Sequence, residues 1–241
     1  MGVTVLERPS PNHEARPEGA AIDTLILHYT GMKTAEEALK RLCDPAAKVS
    51  AHYLIDEGGR IYALVPEGRR AWHAGEARWQ GETDINDRSI GVELVNPGHD
   101  FGYRPFPEAQ MAALEALLGG ILARHPIPAA RVLGHSDVAP ARKTDPGELF
   151  DWERLARAGI GHWPEARGET PVPPVGEIQR RLGRYGYDVP LSGEADAATK
   201  QAITAFQRHF RPERVDGEAD GETAGRLAAL LEGLDPPTPE A

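Results

Sequence analysis

The 241-residue sequence contains a single cysteine, Cys43. One thiol excludes an intramolecular disulfide framework and any metal site built from several thiolates. No run approaches the roughly 18 consecutive apolar residues that a membrane span needs, so no membrane-spanning helix is predicted. Basic residues are also in the minority, with 27 Lys and Arg against 37 Asp and Glu and a net charge of −10. Nucleic acid is therefore not an expected partner, because binding to its phosphate backbone depends on positive charge.

The first 20 residues lack the basic segment and following apolar segment of a secretory signal. The sequence as given therefore predicts a cytoplasmic protein, or a periplasmic or cell-envelope protein if a leader has been removed. No coiled-coil pattern or long apolar edge stands out, so a monomer is expected. Hydrophobic residues make up 40% and charged residues 27% of the chain, which is a globular composition.

A proline-rich segment divides the chain into two parts. Residues 168–175 read GETPVPPV, and three prolines in eight residues favour an extended, semi-rigid connector. We therefore predict a first domain over residues 1–167, a linker over 168–175 and a second domain over 176–235.

The first domain mixes the hydrophobic periods of strands and helices. Residues 22–29 (IDTLILHY) form a short apolar run that is typical of a buried strand. A capping-box pattern at Thr34 predicts a helix that continues to about Leu42. Pro107 begins a second helical pattern with leucines and isoleucines on one face. Strands that alternate with helices predict an α/β domain, with a mixed β-sheet flanked by helices.

The second domain contains an internal repeat. Residues 193–203 (GEADAATKQAI) and 217–227 (GEADGETAGRL) share a Gly-Glu-Ala-Asp turn that is followed by a helix start. Apolar residues after each turn keep helical spacing, and a further helical pattern precedes the first copy. The sequence therefore predicts a small three-helix domain without a catalytic constellation of its own.

Two of the nine histidines stand out from the rest. His28 and His135 end predicted strands, where α/β sheets usually bind ligands, and Asp145 follows in a polar loop. Two imidazoles and a carboxylate suit Zn²⁺ and leave a fourth position for water. Alternatively, the two histidines belong to the core and Asp145 is a turn residue. The histidines in polar or terminal contexts are interpreted as solvated: His13, His99, His125, His162 and His209.

Four segments resemble one enzyme family in the family's own order: LILHYT at 25–30, SAHYLID at 50–56, SIGVEL at 89–94 and GHSDVAPARKTDPG at 134–147. They are similar to the zinc-dependent N-acetylmuramoyl-L-alanine amidases of the amidase-2 family, which also includes the peptidoglycan recognition proteins. The tail resembles the three-helix peptidoglycan-binding domain that is often fused to cell-wall hydrolases.

The resemblance implies one zinc ion per chain, with His28, His135 and Asp145 as its ligands. It also implies that Glu93 is the catalytic glutamate and that Lys143 helps to stabilise the developing oxyanion. The implied reaction hydrolyses the amide bond between N-acetylmuramic acid and L-alanine in peptidoglycan or muropeptides. Without the resemblance, Glu93 would be interpreted as an outward-facing residue of an edge strand and Lys143 as a solvated loop charge.

Four further residues are candidates for contact with the substrate. Tyr53 lies in SAHYLID and is expected either near the metal or in the core. Trp72 and His73 belong to a segment that resembles a wall of the family's cleft. Arg88 either contacts a substrate carboxylate or pairs with Asp87.

Two alternatives remain open at this stage. The chain could bind or sense cell-wall fragments without cutting them, although all five chemical positions of the amidase family are intact. Within the enzyme class, it could act on soluble anhydro-muropeptides during recycling, which the absent leader favours, or on polymeric murein, which the tail favours.

Overall fold

The structure is a computed structural model, and it describes residues 4–165, 168 and 170–234. The described strands are β1 Val5–Glu7, β2 His13–Ala15, β3 Thr24–Tyr29, β4 Tyr53–Ile55, β5 Ile61–Ala63, β6 Arg69–Ala71, β7 Ser89–Leu94 and β8 Val132–Gly134. The described α-helices are α1 Ala35–Leu42, α2 Gly98–Phe101, α3 Glu108–Arg124, α4 His135–Val138, α5 Trp152–Arg157, α6 Val175–Tyr185, α7 Ala197–Phe210 and α8 Gly221–Leu234. None of these helices is long and apolar enough to cross a membrane.

Six strands form one mixed sheet in the order β1-β5-β4-β7-β3-β8. Strands β4, β7, β3 and β8 run parallel to one another, whereas β4 and β5 form an antiparallel hairpin. Strands β2 and β6 pair separately as an antiparallel ribbon. Helices flank the mixed sheet and a helical tail follows it, which confirms the predicted fold class.

The alternation of side chains along β3 explains why the sheet is covered on both faces. Leu25 and Leu27 pack into a core with the buried face of α3, whereas Ile26 packs into a second core with residues of the tail. Successive side chains of a strand point to opposite faces, so an apolar run such as TLILHY needs a partner layer on each side. The sheet therefore lies between α3 and the three helices of the tail.

Local sequence signals set the ends of the helices beside the sheet. The Thr34 hydroxyl accepts a hydrogen bond from the backbone N–H of Glu37, which confirms the predicted start of α1. Helix α3 begins directly after Pro107, as predicted, and buries Leu114, Leu118 and other apolar residues of its inner face.

Each copy of the repeat in the tail forms a turn before a helix, and a buried glutamine holds each turn in place. The side-chain oxygen of Gln179 accepts from the backbone N–H of Gly193, and its amide donates to the carbonyl of Glu194. Gln207 makes the same contacts with Gly217 and the carbonyl of the following residue. Each repeat thus fixes the turn that leads into α7 or α8, and the predicted three-helix unit is confirmed.

The tail shares a continuous core with the sheet domain. Trp79 of the sheet domain is buried, and its ring lies edge-on to Tyr185 and Tyr187 at centroid distances of 5.8 and 4.9 Å. The backbone N–H of Gln80 donates to the carbonyl of Gly186 over 2.8 Å. The domain boundaries remain predictions. Residues 167 and 235, where two of them fall, lie outside the described residues, and the predicted end of the linker at Val175 is the first residue of α6.

Candidate active site

The parallel strands bring the predicted site residues to one edge of the sheet. His28 in β3 lies opposite Glu93 in the register of β7. His135 follows the last residue of the neighbouring strand β8. The backbone N–H of Ser136 donates to the carbonyl of Asp145 over 2.9 Å, so the loop after α4 returns to the same edge.

The side chains of His28, His135 and Asp145 converge on one point. The two Nδ1 atoms are 3.0 Å apart, and they lie 3.0 and 3.1 Å from Oδ2 of Asp145. All three residues are buried, with exposed fractions of 1, 3 and 7%. The group has the composition and closeness of a site that could hold a metal ion.

Hydrogen bonds on the far side of each ring orient the two imidazoles. Nε2 of His135 lies 2.9 Å from the carbonyl oxygen of Ala74, and because a carbonyl only accepts, this nitrogen carries the proton. Nε2 of His28 lies 3.1 Å from Nδ1 of His73, and Nε2 of His73 lies 3.2 Å from the Ser89 hydroxyl. When Nε2 of His28 and Nε2 of His73 carry the protons of this chain, the Nδ1 lone pairs of His28 and His135 both face inward.

The His73 ring fits beside His28 because strand β7 carries a glycine next to it. A Cβ at Gly91 would lie 2.5 Å from Cγ of His73, which is closer than any allowed contact. The ring that contacts His28 therefore occupies the volume of the absent side chain.

The inward-facing atoms form a cluster of acceptors that fits a cation. Nδ1 of His135 and Oδ2 of Asp145 lie 3.1 Å apart, and Nδ1 of His28 lies within 3.0 Å of both. Burial, followed by the nearby His135, lowers the pKa of His28 to about 4, which keeps this ring neutral at pH 7. Although burial alone would raise the pKa of Asp145, the two imidazoles hold it well below its usual range. Neutral imidazoles and a carboxylate are the protonation states that a metal ion requires of its ligands.

Glu93 points into the same site without a hydrogen-bond partner for one oxygen. Its Oε2 atom is buried and unpaired within the described part of the chain. Burial, and then the charge of Asp145, raise the pKa of this carboxyl to about 8, and Lys143 opposes the rise. A carboxyl with a pKa near neutrality, beside a candidate metal site, has the properties of a general acid and base.

The convergent residues line a cleft of about 360 Å³. Five predicted site residues, His28, Glu93, His135, Lys143 and Asp145, all border it. The predicted wall residues Trp72 and His73 border it as well.

Two predicted substrate contacts lie outside the cleft lining. The Tyr53 hydroxyl donates a hydrogen bond to Glu67 over 2.8 Å. In the sheet register, Leu54 lies opposite Glu93 and Tyr53 lies opposite Val92, so the Tyr53 side chain points to the other face of the sheet from Glu93. Arg88 makes ion pairs with Asp23 and Glu82 rather than with Asp87. Neither side chain lines the cleft, so both substrate contacts remain predictions, and Tyr53 packs against the core as its alternative interpretation expected.

Sequence reasoning also missed several residues at or near the site. Tyr29 and Thr144 line the cleft and their hydroxyls hydrogen-bond over 2.9 Å, and each directly adjoins a predicted ligand in sequence. Arg142 borders the cleft and donates to the carbonyl of Ala74. His209 is buried, with 3% exposure, which corrects its interpretation as solvated.

The convergent side chains and the cleft at the edge of the sheet form a candidate metal centre of the kind that hydrolases use. Comparisons with known proteins identify the family. The sequence profile of the N-acetylmuramoyl-L-alanine amidase family matches residues 18–148, and a profile described as a peptidoglycan binding domain matches residues 172–227. The N-acetylmuramoyl-L-alanine amidase AmiD of Escherichia coli K12 is 42% identical over 232 residues, which cover 88% of this chain and 83% of that protein. The 1,6-anhydro-N-acetylmuramyl-L-alanine amidase AmpD of Enterobacter cloacae is 39% identical over 164 residues, 61% of this chain and 86% of that protein.

Solved structures agree with this similarity over almost the whole fold. The complex of Escherichia coli AmiD with anhydro-N-acetylmuramic acid-L-Ala-D-γ-Glu-L-Lys matches with a TM-score of 0.81 and 39% identity, and the match covers 90% of this chain and 92% of that one. AmpDh3 of Pseudomonas aeruginosa, in complex with anhydromuramic pentapeptide, matches with a TM-score of 0.81 and 36% identity, over 90% and 94% of the two chains. The chain belongs to the N-acetylmuramoyl-L-alanine amidase family and carries a C-terminal peptidoglycan-binding domain.

Proposed function

We propose that this enzyme uses zinc to hydrolyse the bond between the lactyl carbonyl of N-acetylmuramic acid and L-alanine in anhydro-muropeptides. The observation that carries the proposal is the buried triangle of His28, His135 and Asp145 beside Glu93, whose Oε2 atom has no partner in the described part of the chain. Two similar proteins have been solved with anhydromuramic peptides, which supports this substrate class.

Zinc is the metal that best suits the donor set. Imidazole nitrogens and one carboxylate oxygen are its common ligands in hydrolytic sites. Tetrahedral bonds of about 2.0–2.1 Å separate the ligand atoms by about 3.3 Å, and the observed separations are 3.0–3.1 Å. An ion held by these residues would supply Lewis-acid chemistry, since it polarises a carbonyl and lowers the pKa of a nearby water.

Glu93 and Lys143 would perform the remaining chemistry at the cleft. The Glu93 carboxylate takes a proton from the attacking water and returns it to the departing amine of L-alanine, a role worth typically 10²–10⁴-fold in rate. Lys143 lines the cleft, and its positive charge would stabilise the negative oxygen that develops on the lactyl carbonyl.

Hydrolysis of a defined anhydro-muropeptide tests the proposal. Mass spectrometry of the zinc-loaded reaction should show the free sugar acid and a stem peptide that begins with L-alanine. A chelator should stop the reaction and Zn²⁺ should restore it. Glu93→Gln should keep the zinc and lose about 10²–10⁴-fold in turnover.

Three outcomes would contradict parts of this account. Full turnover by metal-free protein would remove the role of zinc. Muropeptide that stays bound but uncut by the zinc-loaded enzyme would favour the non-hydrolytic alternative. Release of peptides from intact sacculi, with no cleavage of soluble anhydro-muropeptides, would contradict the proposed substrate class.

A further inference from the structure

A buried carboxylate lies two residues beyond the candidate ligand His135. Asp137 is fully buried in the short helix α4, whose first residue is His135. Its Oδ2 atom accepts a hydrogen bond of 2.7 Å from the backbone N–H of Gly134. This bond ties the end of β8 to α4 and so spans the residue that carries the imidazole.

Two further hydrogen bonds of Asp137, among the described residues, come from the tail. The Tyr187 hydroxyl donates to Oδ1 over 2.7 Å, and Nδ1–H of His209 donates to Oδ2 over 2.7 Å. The two donors belong to different parts of the tail, since Tyr187 follows α6 and His209 lies in α7. Both are buried, with 3% exposure each. The tail thus supplies two of the three described hydrogen bonds to this buried carboxyl group, and the loss of partners in a buried place would be costly.

Packing holds both tail donors in place. The His209 ring stacks on Trp152 of the sheet domain, with centroids 3.7 Å apart and planes 19° apart. Tyr187 lies edge-on to the buried Trp79 at 4.9 Å. Aromatic rings of the sheet domain thus hold both tail donors in place.

We propose that Tyr187 and His209 are positioning residues of the metal centre: through Asp137 they fix the β8–α4 connection and hence the direction of the His135 imidazole. The tail then acts as a structural part of the metal centre in addition to any role in binding the wall. This inference depends on the proposed metal site. It predicts that removal of either donor weakens metal binding, although neither residue touches the ligand atoms.

Zinc affinity of the full-length protein tests the inference without reference to turnover. Metal-free protein is titrated with Zn²⁺ against a chromophoric chelator, and the visible spectrum of the Co²⁺-loaded form reports the geometry of the site. Tyr187→Phe and His209→Leu should each raise the zinc Kd about 10-fold, the lower end of the usual effect of outer ligand partners. His209→Asn places an amide N–H at the position of Nδ1 and should restore most of the affinity.

Tyr185→Phe is the matched control. It removes a hydroxyl from the same aromatic cluster, and this hydroxyl makes no hydrogen bond within the described part of the chain. Zinc affinity and the Co²⁺ spectrum should stay at wild-type values in this variant. Circular dichroism and thermal unfolding establish that each variant is folded before titration.

The outcomes separate this inference from the proposed function. Zinc affinities and Co²⁺ spectra that are unchanged in both Tyr187→Phe and His209→Leu would overturn the positioning role and leave the metal site intact. An equal loss in Tyr185→Phe would overturn it as well, because the effect would then be a general loosening of the tail. Wild-type protein that binds no zinc would overturn the metal site and this inference together.

Discussion

Replacement of Glu93 by glutamine should stabilise the metal-free protein at neutral pH. Burial and the charge of Asp145 raise the pKa of the Glu93 carboxyl from 4.5 to about 8. The folded protein therefore binds a proton more tightly at this position than the unfolded chain does. Folding stability is lost as pH rises from about 4.5 towards 8, because unfolding releases a carboxylate into water. Glutamine has nearly the same shape and no proton to lose, so the variant escapes this penalty.

The size of the gain follows from the shift in pKa. A shift from 4.5 to about 8 corresponds to a penalty of about 3 kcal/mol at pH 7, at about 1.4 kcal/mol per pKa unit over the range that is titrated. This value is an upper limit, since local relaxation reduces it. Near pH 4 the carboxyl is protonated in both states, so the difference between the two proteins should be small.

Denaturant unfolding in the presence of a chelator, at pH 4 and pH 7, measures this effect. Glu93→Gln should be more stable than wild type at pH 7, and the difference should shrink at pH 4. The exposed Glu36 provides a control, because Glu36→Gln should change stability by no more than about 0.5 kcal/mol at either pH. A Glu93→Gln variant that is no more stable than wild type at pH 7 would refute the desolvated environment of this carboxyl.

Three further changes test other parts of the structure. Hydrogen bonds from Arg124 and two other side chains outweigh burial and lower the pKa of Glu67 to about 2. The ionised Glu67 carboxylate therefore stabilises the fold fully above about pH 4.5, and this stabilisation is lost as the pH falls towards 2. Glu67→Gln should cost about 1–2 kcal/mol of unfolding free energy at pH 7 after allowance for solvent screening. An equal cost at pH 3 and pH 7 in urea unfolding would contradict this sign. Trp79→Ala should cost about 3–5 kcal/mol in urea unfolding because it empties the shared core, and a loss below about 1 kcal/mol would mean that the tail does not pack there. Gly91→Ala should displace the His73 ring and raise the zinc Kd about 10-fold or more, whereas an unchanged Kd in chelator competition would contradict the orienting role of that ring.

The sequence predicted those parts of the fold that depend on local signals. The strand 22–29, the cap at Thr34 and the helix after Pro107 all have short-range causes, and the structure contains each of them. Residues at the carboxyl ends of parallel strands could also be placed together, because those ends meet at one edge of the sheet. The convergence of His28 with His135 followed from the position of each residue at a strand end.

Contacts between distant segments could not be predicted in this way. The partners of Tyr53 and Arg88 could not be read from the sequence, because the direction of a side chain depends on strand register and on acidic residues far away in sequence. His209 was interpreted as solvated because its neighbours in sequence are polar. Its contacts in the fold, Trp152 and Asp137, belong to the other domain and leave no signal near His209 in the sequence. Docking of the tail onto the sheet is a tertiary event that no local pattern of residues specifies.

The coordination of the bound metal tests the central claim most directly. X-ray absorption spectroscopy of the zinc-loaded protein should show four nitrogen or oxygen neighbours at about 2.0–2.1 Å and no sulfur. Multiple scattering should correspond to two imidazoles, and one of them should disappear in His135→Ala. Three imidazoles, a sulfur neighbour at about 2.3 Å, or a wild-type spectrum in the His135→Ala variant would contradict a centre built from His28, His135 and Asp145.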